Sequence, residues 1–400
     1  MATRKIIMVG SQDEIFEELP PEDIELYVIQ PASLIGPRLR VAAADIYTIE
    51  AFNDEQVLAG ARYFCERHAI DGLFSFTEYG LLPAANAAKA LGLPGISAET
   101  TELCRNKWKL REKLAGTPLH VPFVMADSHA SLTQFARENG FPLVLKDPSG
   151  VGSINVKICG SLSEALVFFD ELQQQGYTYV LAEKYVQGTE YSVETLSIRG
   201  RHQLIGVTDK HLLPGGLVEQ KHVYPATLTI ETRTRIERYT CKLLELIEHR
   251  HGPMHIEVKV EEERIYLIEI NNRPGGDYIW DMVNKVSGVN LVAETLRYAF
   301  DGQPDSNERE TRQRYGAMSY IALFQPIPPS TVRQALENMT ELDRVQCKIS
   351  SSSSVQEVRS SFERPGFVLI GEHDAASLSA VLPAIEEWID AQRCLQEGRI

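Results

Sequence analysis

The feature that most constrains the fold is a hairpin pattern in the second half of the chain. It consists of two alternating, β-branched runs, His255–Val260 and Ile265–Ile270, on either side of a short charged turn. Such a pattern predicts two antiparallel strands, and we expect a three-residue loop at 262–264 to join them. One face of the hairpin is predicted to be apolar and to pack on a core: Ile256, Val258, Tyr266, Ile268 and Ile270.

Three oxygen-bearing side chains fall on the other face of this hairpin. Glu257 and Glu269 are twelve residues apart, so they share a face when they lie opposite each other, and the strand period of two adds Asn271. Two carboxylates so placed repel each other, with Cβ atoms roughly 5 Å apart. A hard cation removes that repulsion, and oxygen ligands suit Mg²⁺ beside substrate phosphates. The alternative is a solvated hairpin whose acids merely point outward.

The residues directly after the hairpin favour a phosphate site. Arg273 adds a permanent cation immediately beyond Asn271, and Pro274-Gly275-Gly276 adds a flexible backbone. We therefore predict that phosphate binds beside the proposed metal.

Bulk properties exclude several classes of protein. The 400 residues include 40 basic and 55 acidic side chains, a net charge of −15, and 44% are hydrophobic. This acidity argues against nucleic acid or an anionic membrane as a main partner. Apolar runs fall short of the ~18 residues that a membrane helix needs, and the first strand is too short for a signal peptide. The six cysteines form no close pairs, which predicts reduced thiols in a cytoplasmic protein.

Residues 1–100 alternate strand and helix signals, which predicts an α/β domain with a parallel sheet and helices on both faces. No Gly-x-Gly-x-x-Gly comes after the first strand, so a dinucleotide site is not indicated. Glu78 lies just past the predicted strand Gly72–Phe76, at the carboxyl end where ligands bind in open α/β sheets. A substrate contact and a helix cap are both open for Glu78.

Residues 101–186 carry two candidate phosphate-binding lysines, Lys107 and Lys146, and a glycine-rich turn. Lys107 lies on a predicted helix at 101–120, where a basic residue usually belongs to a solvated face. Lys146 ends a predicted strand, and the turn after it contains Ser149, Gly150, Gly152 and Ser153. The amides of such a turn can close over phosphates. It lacks the Gly-Lys-Ser/Thr and subsequent helix of a Walker loop, and an ordinary turn is the alternative.

Acidic residues flank the next strands. Glu183 can accept a hydrogen bond from the exocyclic amine of a nucleotide, and Glu190 from its ribose hydroxyls; a crossing between domains is the alternative. A predicted Pro/Gly-rich loop at 208–225 carries Glu219 and His222, and long loops on α/β scaffolds tend to be functional. A hydrophilic linker is predicted at 301–315. The residues beyond it predict a small α+β module without a catalytic constellation.

In this order, these segments resemble the ATP-grasp ligases over roughly residues 1–325. The resemblance implies an N-terminal α/β domain at 1–100, then an ATP-grasp domain of two α+β lobes at 101–305, with a lid lobe at about 121–186. A C-terminal α+β domain is implied at 316–400. The two lobes of the ATP-grasp module clamp ATP between them.

The resemblance also implies roles for individual residues. Lys107 and Lys146 contact ATP phosphates, and the Ser149–Ser153 turn closes over them. The adenine hinge runs from Glu183 through Lys184 and Tyr185 to Val186, and Glu190 takes the ribose. Glu257, Glu269 and Asn271 hold Mg²⁺, with Mn²⁺ as a possible substitute, and Arg273 steadies the reacting carboxylate or phosphate.

Within the superfamily, two motifs most resemble L-amino-acid (dipeptide) ligases, including the bacilysin-biosynthesis type. They are Glu269-Ile-Asn-Asn-Arg-Pro-Gly-Gly276 and Glu219-Gln-Lys-His222. In that group Glu78, Glu219 and His222 lie around two amino-acid substrates. The sequence departs from biotin carboxylases and from purine-pathway ligases in the residues directly after the arginine.

The function implied is an ADP-forming ligase that joins an L-amino acid to an amine or second amino acid through an acyl phosphate. Arg273, His222 and Glu219 are its expected catalytic residues, its partners are small molecules, and a homodimer is a family-level expectation. Two alternatives stay open. One is another ATP-grasp enzyme: an amino acid–carrier-protein ligase, a carboxylase-like enzyme or a purine-pathway ligase. The other is a nucleotide-binding regulator without turnover.

Overall fold

The computed structural model describes residues 3–148, 150, 152, 154–213, 218–301, 315–321, 328–337, 342–347, 364, 366–372 and 375–396. Ser149 and Ser153 of the proposed phosphate turn lie outside the described residues, as do positions 302–314 of the predicted linker. No helix in the part of the chain so described is long and apolar enough to cross a membrane.

The N-terminal domain contains the predicted parallel sheet. Its strands are β1 (Arg4–Val9), β2 (Ile24–Pro31), β3 (Ala43–Ile49) and β4 (Gly72–Phe74), in the order β3-β2-β1-β4. The central strands β1 and β2 are apolar on both faces, as expected of a sheet covered on both sides. Two hydrophobic clusters, one on each face, enclose them. The helices are α1 (Pro37–Ala42), α2 (Asp54–Cys65) and α3 (Leu81–Leu91).

The helix predicted after this domain is divided in two. Helix α4 spans Ala98–Arg105 and α5 spans Lys107–Leu114. Asn106 between them is extended, with φ −107° and ψ 95°, and its side chain accepts a hydrogen bond from the Lys109 amide. This N-cap starts a new helix and places Lys107 in its first turn.

A four-stranded antiparallel sheet, the lid sheet, lies in the segment for which a lid lobe was predicted. Its strands are β5 (Phe123–Ala126), β6 (Leu143–Lys146), β7 (Val156–Cys159) and β8 (Val180–Lys184), in the order β5-β8-β6-β7. Helices α6 (His129–Asn139) and α7 (Leu162–Gln174) pack on one face through a buried cluster that includes Phe135 and Phe169. The glycine-rich turn joins β6 to β7, at the end of the sheet where Lys146 lies.

An eight-stranded sheet forms the rest of the molecule, in the order β13-β12-β9-β10-β11-β14-β16-β15. The strands are β9 (Thr189–Ile198), β10 (Arg201–Leu212), β11 (Glu219–Tyr224), β12 (Gly252–Glu261), β13 (Arg264–Asn271), β14 (Tyr315–Ile321), β15 (Leu342–Cys347) and β16 (Gly366–Glu372). The helices are α8 (Ile230–Leu246), α9 (Ile279–Ser287), α10 (Leu291–Asp301), α11 (Pro329–Leu336) and α12 (Ala375–Gln396). The prediction of a long loop at 208–225 is wrong, because most of these residues belong to the paired strands β10 and β11.

The β12–β13 hairpin has the predicted facing acids but a different turn. Glu257 pairs directly with Glu269, and the register then shifts so that Val258 pairs with Leu267. Because this bulge absorbs one residue, the strands close at Glu261 and Arg264 around a two-residue turn rather than the predicted three-residue loop. The shift also changes the apolar face: Leu267 is fully buried in place of Ile268, together with Ile256, Val258 and Ile270.

Candidate active site

A cavity of about 780 Å³ lies between the lid sheet, the eight-stranded sheet and the N-terminal domain. Every described residue of the predicted site lines it, from Glu78 in the first domain to Arg273 after the hairpin. They are Glu78, Lys107, Lys146, Gly150, Gly152, Glu183, Lys184, Tyr185, Val186, Glu190, Glu219, His222, Glu257, Glu269, Asn271 and Arg273. The predicted residues therefore meet in one place, although they come from three parts of the fold.

Lys107 joins the glycine-rich turn to the hairpin. Its ammonium donates to the Gly150 carbonyl at 2.7 Å, and its backbone amide donates to the Pro148 carbonyl at 2.9 Å. The same ammonium lies 3.5 Å from Glu269 Oε1. A lysine whose helix position indicated only a solvated face is thus the link between the proposed phosphate turn and a proposed metal ligand.

Lys146 belongs to a buried cluster of two cations around one acid. Its ammonium lies 2.7 Å from Glu183 Oε2, while Arg111 Nε donates to Glu183 Oε1 at 2.6 Å. Burial by itself raises the pKa of Glu183, but Arg111 and Lys146 outweigh it and lower that pKa to about 2. Burial lowers the pKa of Lys146. Both Glu183 oxygens already contact cations. We therefore propose that any contact of this segment with adenine is made by the main chain of residues 183–186.

Arg111 was not predicted as a site residue from the sequence. It also donates to the Leu267 carbonyl at 2.8 Å, so it ties the lid sheet to the hairpin. One signal was present: Arg111 lies four residues after Lys107 on the same helix, and residues so spaced lie on one helical face.

A second buried cluster reverses this charge arrangement, with one cation among three acids. Lys210 Nζ lies 2.8 Å from Glu190, 3.0 Å from Glu257 and 3.3 Å from Glu219. Burial opposes the charge of Lys210, but the three carboxylates raise its pKa well above the ordinary value. Lys210 was missed because the sequence places it in a segment that resembles a polar loop.

His255 contacts Glu257, and it was not predicted as a site residue from the sequence. Its Nδ1 contacts the fully buried Glu194 Oε1, and its Nε2 lies 3.5 Å from Glu257 Oε1. Burial lowers the pKa of His255, but these two acids outweigh burial and raise it to about 9. The imidazole is therefore charged at neutral pH. The other Glu194 oxygen accepts a hydrogen bond from the Gly275 amide at 3.0 Å. A Cβ atom added to Gly275 would lie only 2.7 Å from Glu194 Oε1.

The three proposed metal ligands line one wall of the cavity. Asn271 Nδ2 lies 3.4 Å from Glu269 Oε1, and Glu257 faces Glu269 across the hairpin. Within the described ranges, no three His, Cys, Asp or Glu side chains form a metal-binding group by themselves. The two carboxylates instead contact the ammonium groups of Lys210 and Lys107, so each already attracts a cation.

Glu78 connects the N-terminal domain to the arginine after the hairpin. Arg273 Nε donates to Glu78 Oε2 at 2.9 Å, and Arg105 Nη1 lies 3.4 Å from the other oxygen. The helix-cap alternative for Glu78 is wrong, because Gly80 is the N-cap of α3 and no side chain caps it. Glu78 thus faces the cavity between two arginines.

The far end of the cavity receives Arg364 from the C-terminal segment, for which the sequence predicted no catalytic constellation and no site residue. Arg364 Nη1 lies 3.1 Å from Glu219 Oε2, and its Nη2 lies 2.7 Å from Asp277 Oδ1. Its guanidinium also stacks 3.5 Å over the ring of Tyr320. No local pattern marked Arg364, since it reaches the site through β16 pairing with β14.

His222 lies beside this arginine. It is 1% exposed, and its Nε2 is 3.6 Å from Asp277 Oδ2. Neither ring nitrogen has a hydrogen-bond partner among the described residues. Since a buried polar group without a partner is costly, the ring is suited to a ligand that enters the cavity.

Two family models match the sequence. The model described as the ATP-grasp domain matches residues 139–281, and the ATP-grasp N-terminal domain matches residues 26–95. The first range contains the glycine-rich turn, the acids of both buried clusters and the hairpin.

Curated relatives match at low identity. The uncharacterized protein y4rH of Sinorhizobium fredii is 28% identical over 300 residues, which cover 71% of this chain and 61% of y4rH. Alanine–anticapsin ligase of Bacillus amyloliquefaciens is 25% identical over 270 residues, covering 60% of this chain and 56% of the ligase. The chain therefore spans less than two thirds of the length of these relatives.

A solved structure matches almost throughout. The L-amino acid ligase from Bacillus licheniformis superposes with a TM-score of 0.81 at 22% sequence identity, covering 97% of this chain and 98% of that one. At this identity the likeness shows a shared fold.

Proposed function

The chain is a member of the ATP-grasp superfamily, and from that premise we propose that it is an ATP-dependent, ADP-forming carboxylate–amine ligase. Its proposed reaction joins an L-amino acid to an amine or a second amino acid through an acyl phosphate. The likeness in sequence to alanine–anticapsin ligase supports this substrate class. The observation that carries the proposal is Lys107, which contacts both the glycine-rich turn and Glu269.

The donor set of the hairpin fits a divalent cation. Glu257, Glu269 and Asn271 offer hard oxygen atoms on one wall, and ammonium groups already lie against both carboxylates. Mg²⁺ prefers such ligands together with substrate phosphates. When bound, Mg²⁺ neutralises charge on the phosphates during transfer. We propose that these three residues hold it, with Mn²⁺ as a substitute.

The chemistry proposed needs positioning more than covalent help from the protein. A carboxylate oxygen of the first substrate attacks the γ-phosphorus of ATP, the bond to the β-phosphate oxygen breaks, and ADP leaves. The amine then attacks the acyl carbon, and phosphate departs with the former carboxylate oxygen. Such transfers depend on orientation and charge stabilisation, and the cavity offers Lys107, Lys146 and Arg273 for both.

Arg273 is proposed to hold the carboxylate as it becomes an acyl phosphate. Its guanidinium is permanently charged and can bind two oxygens at once, and Glu78 fixes it from one side. Glu219 and His222 also line the cavity, close to Arg364 and Asp277. We assign them to the amine substrate, Glu219 by charge and His222 as a group able to accept the proton that the attacking amine loses.

A phosphate-release screen over pairs of L-amino acids with MgATP tests the proposal. We expect ADP and phosphate to form in equal amounts with an amide product, and only when both substrates are present. Silence with pairs of free amino acids, but turnover of one amino acid with a carrier protein as the acceptor, favours an amino acid–carrier-protein ligase instead. ATP that binds but is never split over a broad panel favours a regulator.

A further inference from the structure

Four adjacent strands bring three carboxylates around one ammonium at the wall of the cavity. Lys210 lies on β10, and Glu190, Glu219 and Glu257 lie on β9, β11 and β12. Its Nζ is within 3.3 Å of an oxygen of each. In the described part of the protein, no other cation lies within 4.0 Å of all three.

Each acid also has a further cation nearby. Lys259 Nζ lies 3.8 Å from Glu190 Oε2, Arg364 Nη1 lies 3.1 Å from Glu219 Oε2, and His255 Nε2 lies 3.5 Å from Glu257 Oε1. Among these described cations Lys210 alone is shared by the three acids, so it is the charge that lets the carboxylates face one another. Without it, like charges only a few ångströms apart repel in a poorly hydrated site.

Resting on the proposed function, we propose that Lys210 is a positioning residue that makes binding of the divalent cation depend on nucleotide. Its ammonium contacts Oε1 of Glu257, one of the proposed metal ligands. A metal at that carboxylate is repelled by this ammonium, at 3.0 Å from Glu257 Oε1, and less closely by His255, at 3.5 Å from the same oxygen. The phosphates of a bound nucleotide add the negative charge that admits the metal beside it. In the nucleotide-free protein, Lys210 therefore holds the three carboxylates in position without a bound metal.

Mn²⁺ binding to the full chain, measured by electron paramagnetic resonance, tests this inference without turnover. Wild-type protein should bind Mn²⁺ at the hairpin only when ADP is present. Lys210→Met should bind Mn²⁺ without nucleotide at least about tenfold more tightly than wild type, because the ammonium that repels the metal ion is gone. A tenfold change in affinity corresponds to about 1.4 kcal/mol. Lys210→Arg keeps the charge and should behave as wild type.

Lys259→Met is the matched control. Lys259 is also a buried lysine against Glu190, but no contact joins it to Glu257. We expect its nucleotide-free Mn²⁺ binding to equal that of wild type. Binding as tight as in Lys210→Met would overturn the specific role of Lys210, since loss of any nearby charge would then suffice.

A second variant guards against loss of folding. If circular dichroism shows that Lys210→Met is unfolded, Lys210→Met/Glu219→Gln removes one of the unbalanced acids as well. It should bind nucleotide-free Mn²⁺ more tightly than Glu219→Gln alone, and equal binding overturns the inference.

The outcomes separate this inference from the proposed function. ADP-dependent Mn²⁺ binding by wild type, with no gain in Lys210→Met, contradicts only the role of Lys210. If wild type binds no Mn²⁺ either with or without ADP, the proposed function is contradicted, and the inference falls with it. Equal Mn²⁺ binding by wild type with and without ADP overturns the inference and leaves the function standing.

Discussion

The two buried charge clusters of the cavity are opposites. On the lid side, Glu183 lies between Arg111 and Lys146, so one acid accompanies two cations. On the side of the eight-stranded sheet, Lys210 lies among three acids. One wall therefore presents two cations to phosphates, and the other presents carboxylates that a metal would share with the cations already beside them. A metal–nucleotide complex carries both signs, and it fits between walls that are charged in this way.

Removing the acid of the lid cluster should give the largest effect. Glu183→Gln leaves Arg111 and Lys146 buried without their partner, which costs about 3–5 kcal/mol. The free energy of unfolding in urea measures this loss. Glu171→Gln, at an exposed position of α7, is the control and should be close to wild type. If both variants unfold at the same urea concentration, Glu183 does not hold the cluster together.

Removing an acid of the opposite wall should abolish chemistry while sparing the fold. Glu269→Gln keeps the shape of the side chain but loses a metal-binding charge, and we expect metal-dependent ADP formation to fall by at least about 100-fold. Glu262→Gln, exposed in the turn of the same hairpin, should retain activity. Full ADP formation by Glu269→Gln would contradict the metal assignment.

Glu183 of the lid cluster also predicts how the free energy of unfolding depends on pH. The folded-state pKa of Glu183 is lowered from 4.5 to about 2. A lowered pKa contributes stability above the unfolded value, and this contribution is lost as the pH falls from about 4.5 to 2. It amounts to on the order of 3 kcal/mol. Urea unfolding of wild type should therefore weaken more over this range than that of Glu183→Gln. Parallel curves would show that Glu183 titrates normally.

The smallest effect is expected where the C-terminal segment reaches the acidic wall. Arg364→Met removes the guanidinium that holds Glu219 and Asp277 in place. Because the Glu219 carboxylate is then less well oriented toward the amine substrate, we expect KM for that substrate to rise about tenfold, or roughly 1.4 kcal/mol. KM for ATP should change little. Lys221→Met is the control, because Lys221 also joins β11 to the C-terminal segment, at 2.6 Å from Glu386, without lining the cavity. An equal rise in both variants would indicate a general loosening.

Sequence patterns predicted the elements whose residues interact with near neighbours. The pairing of Glu257 with Glu269 was expected from an even spacing, and the lid strands were expected from short apolar runs between turns. The bulge after Glu257 was not predictable, because it depends on which side chain the core accepts. Strand β3 has a weak sequence signal because it is an edge strand with several exposed residues.

The clusters show why the site was predicted only in part. Lys146 and Glu183 each belong to a strand and a motif, so local patterns marked both of them. Lys210 was not marked because its segment was interpreted as a loop, although it lies on β10, which pairs with the consecutive strands β9 and β11. Arg364 gains its position from pairing between the distant strands β14 and β16, which no local pattern encodes. Glu183 was marked for a nucleotide but its carboxylate contacts Arg111, a residue 72 positions away in the chain. Motifs thus located the cavity, and long-range ion pairs arranged its charges.

Transfer of oxygen tests the central claim most directly. The amino acid is supplied with ¹⁸O in its carboxylate, together with MgATP and the amine, and the phosphate released is examined by mass spectrometry. An acyl phosphate held between the two charged walls predicts one ¹⁸O atom in each phosphate, formed together with ADP and amide. Phosphate free of ¹⁸O, or AMP and pyrophosphate as the products, would contradict it.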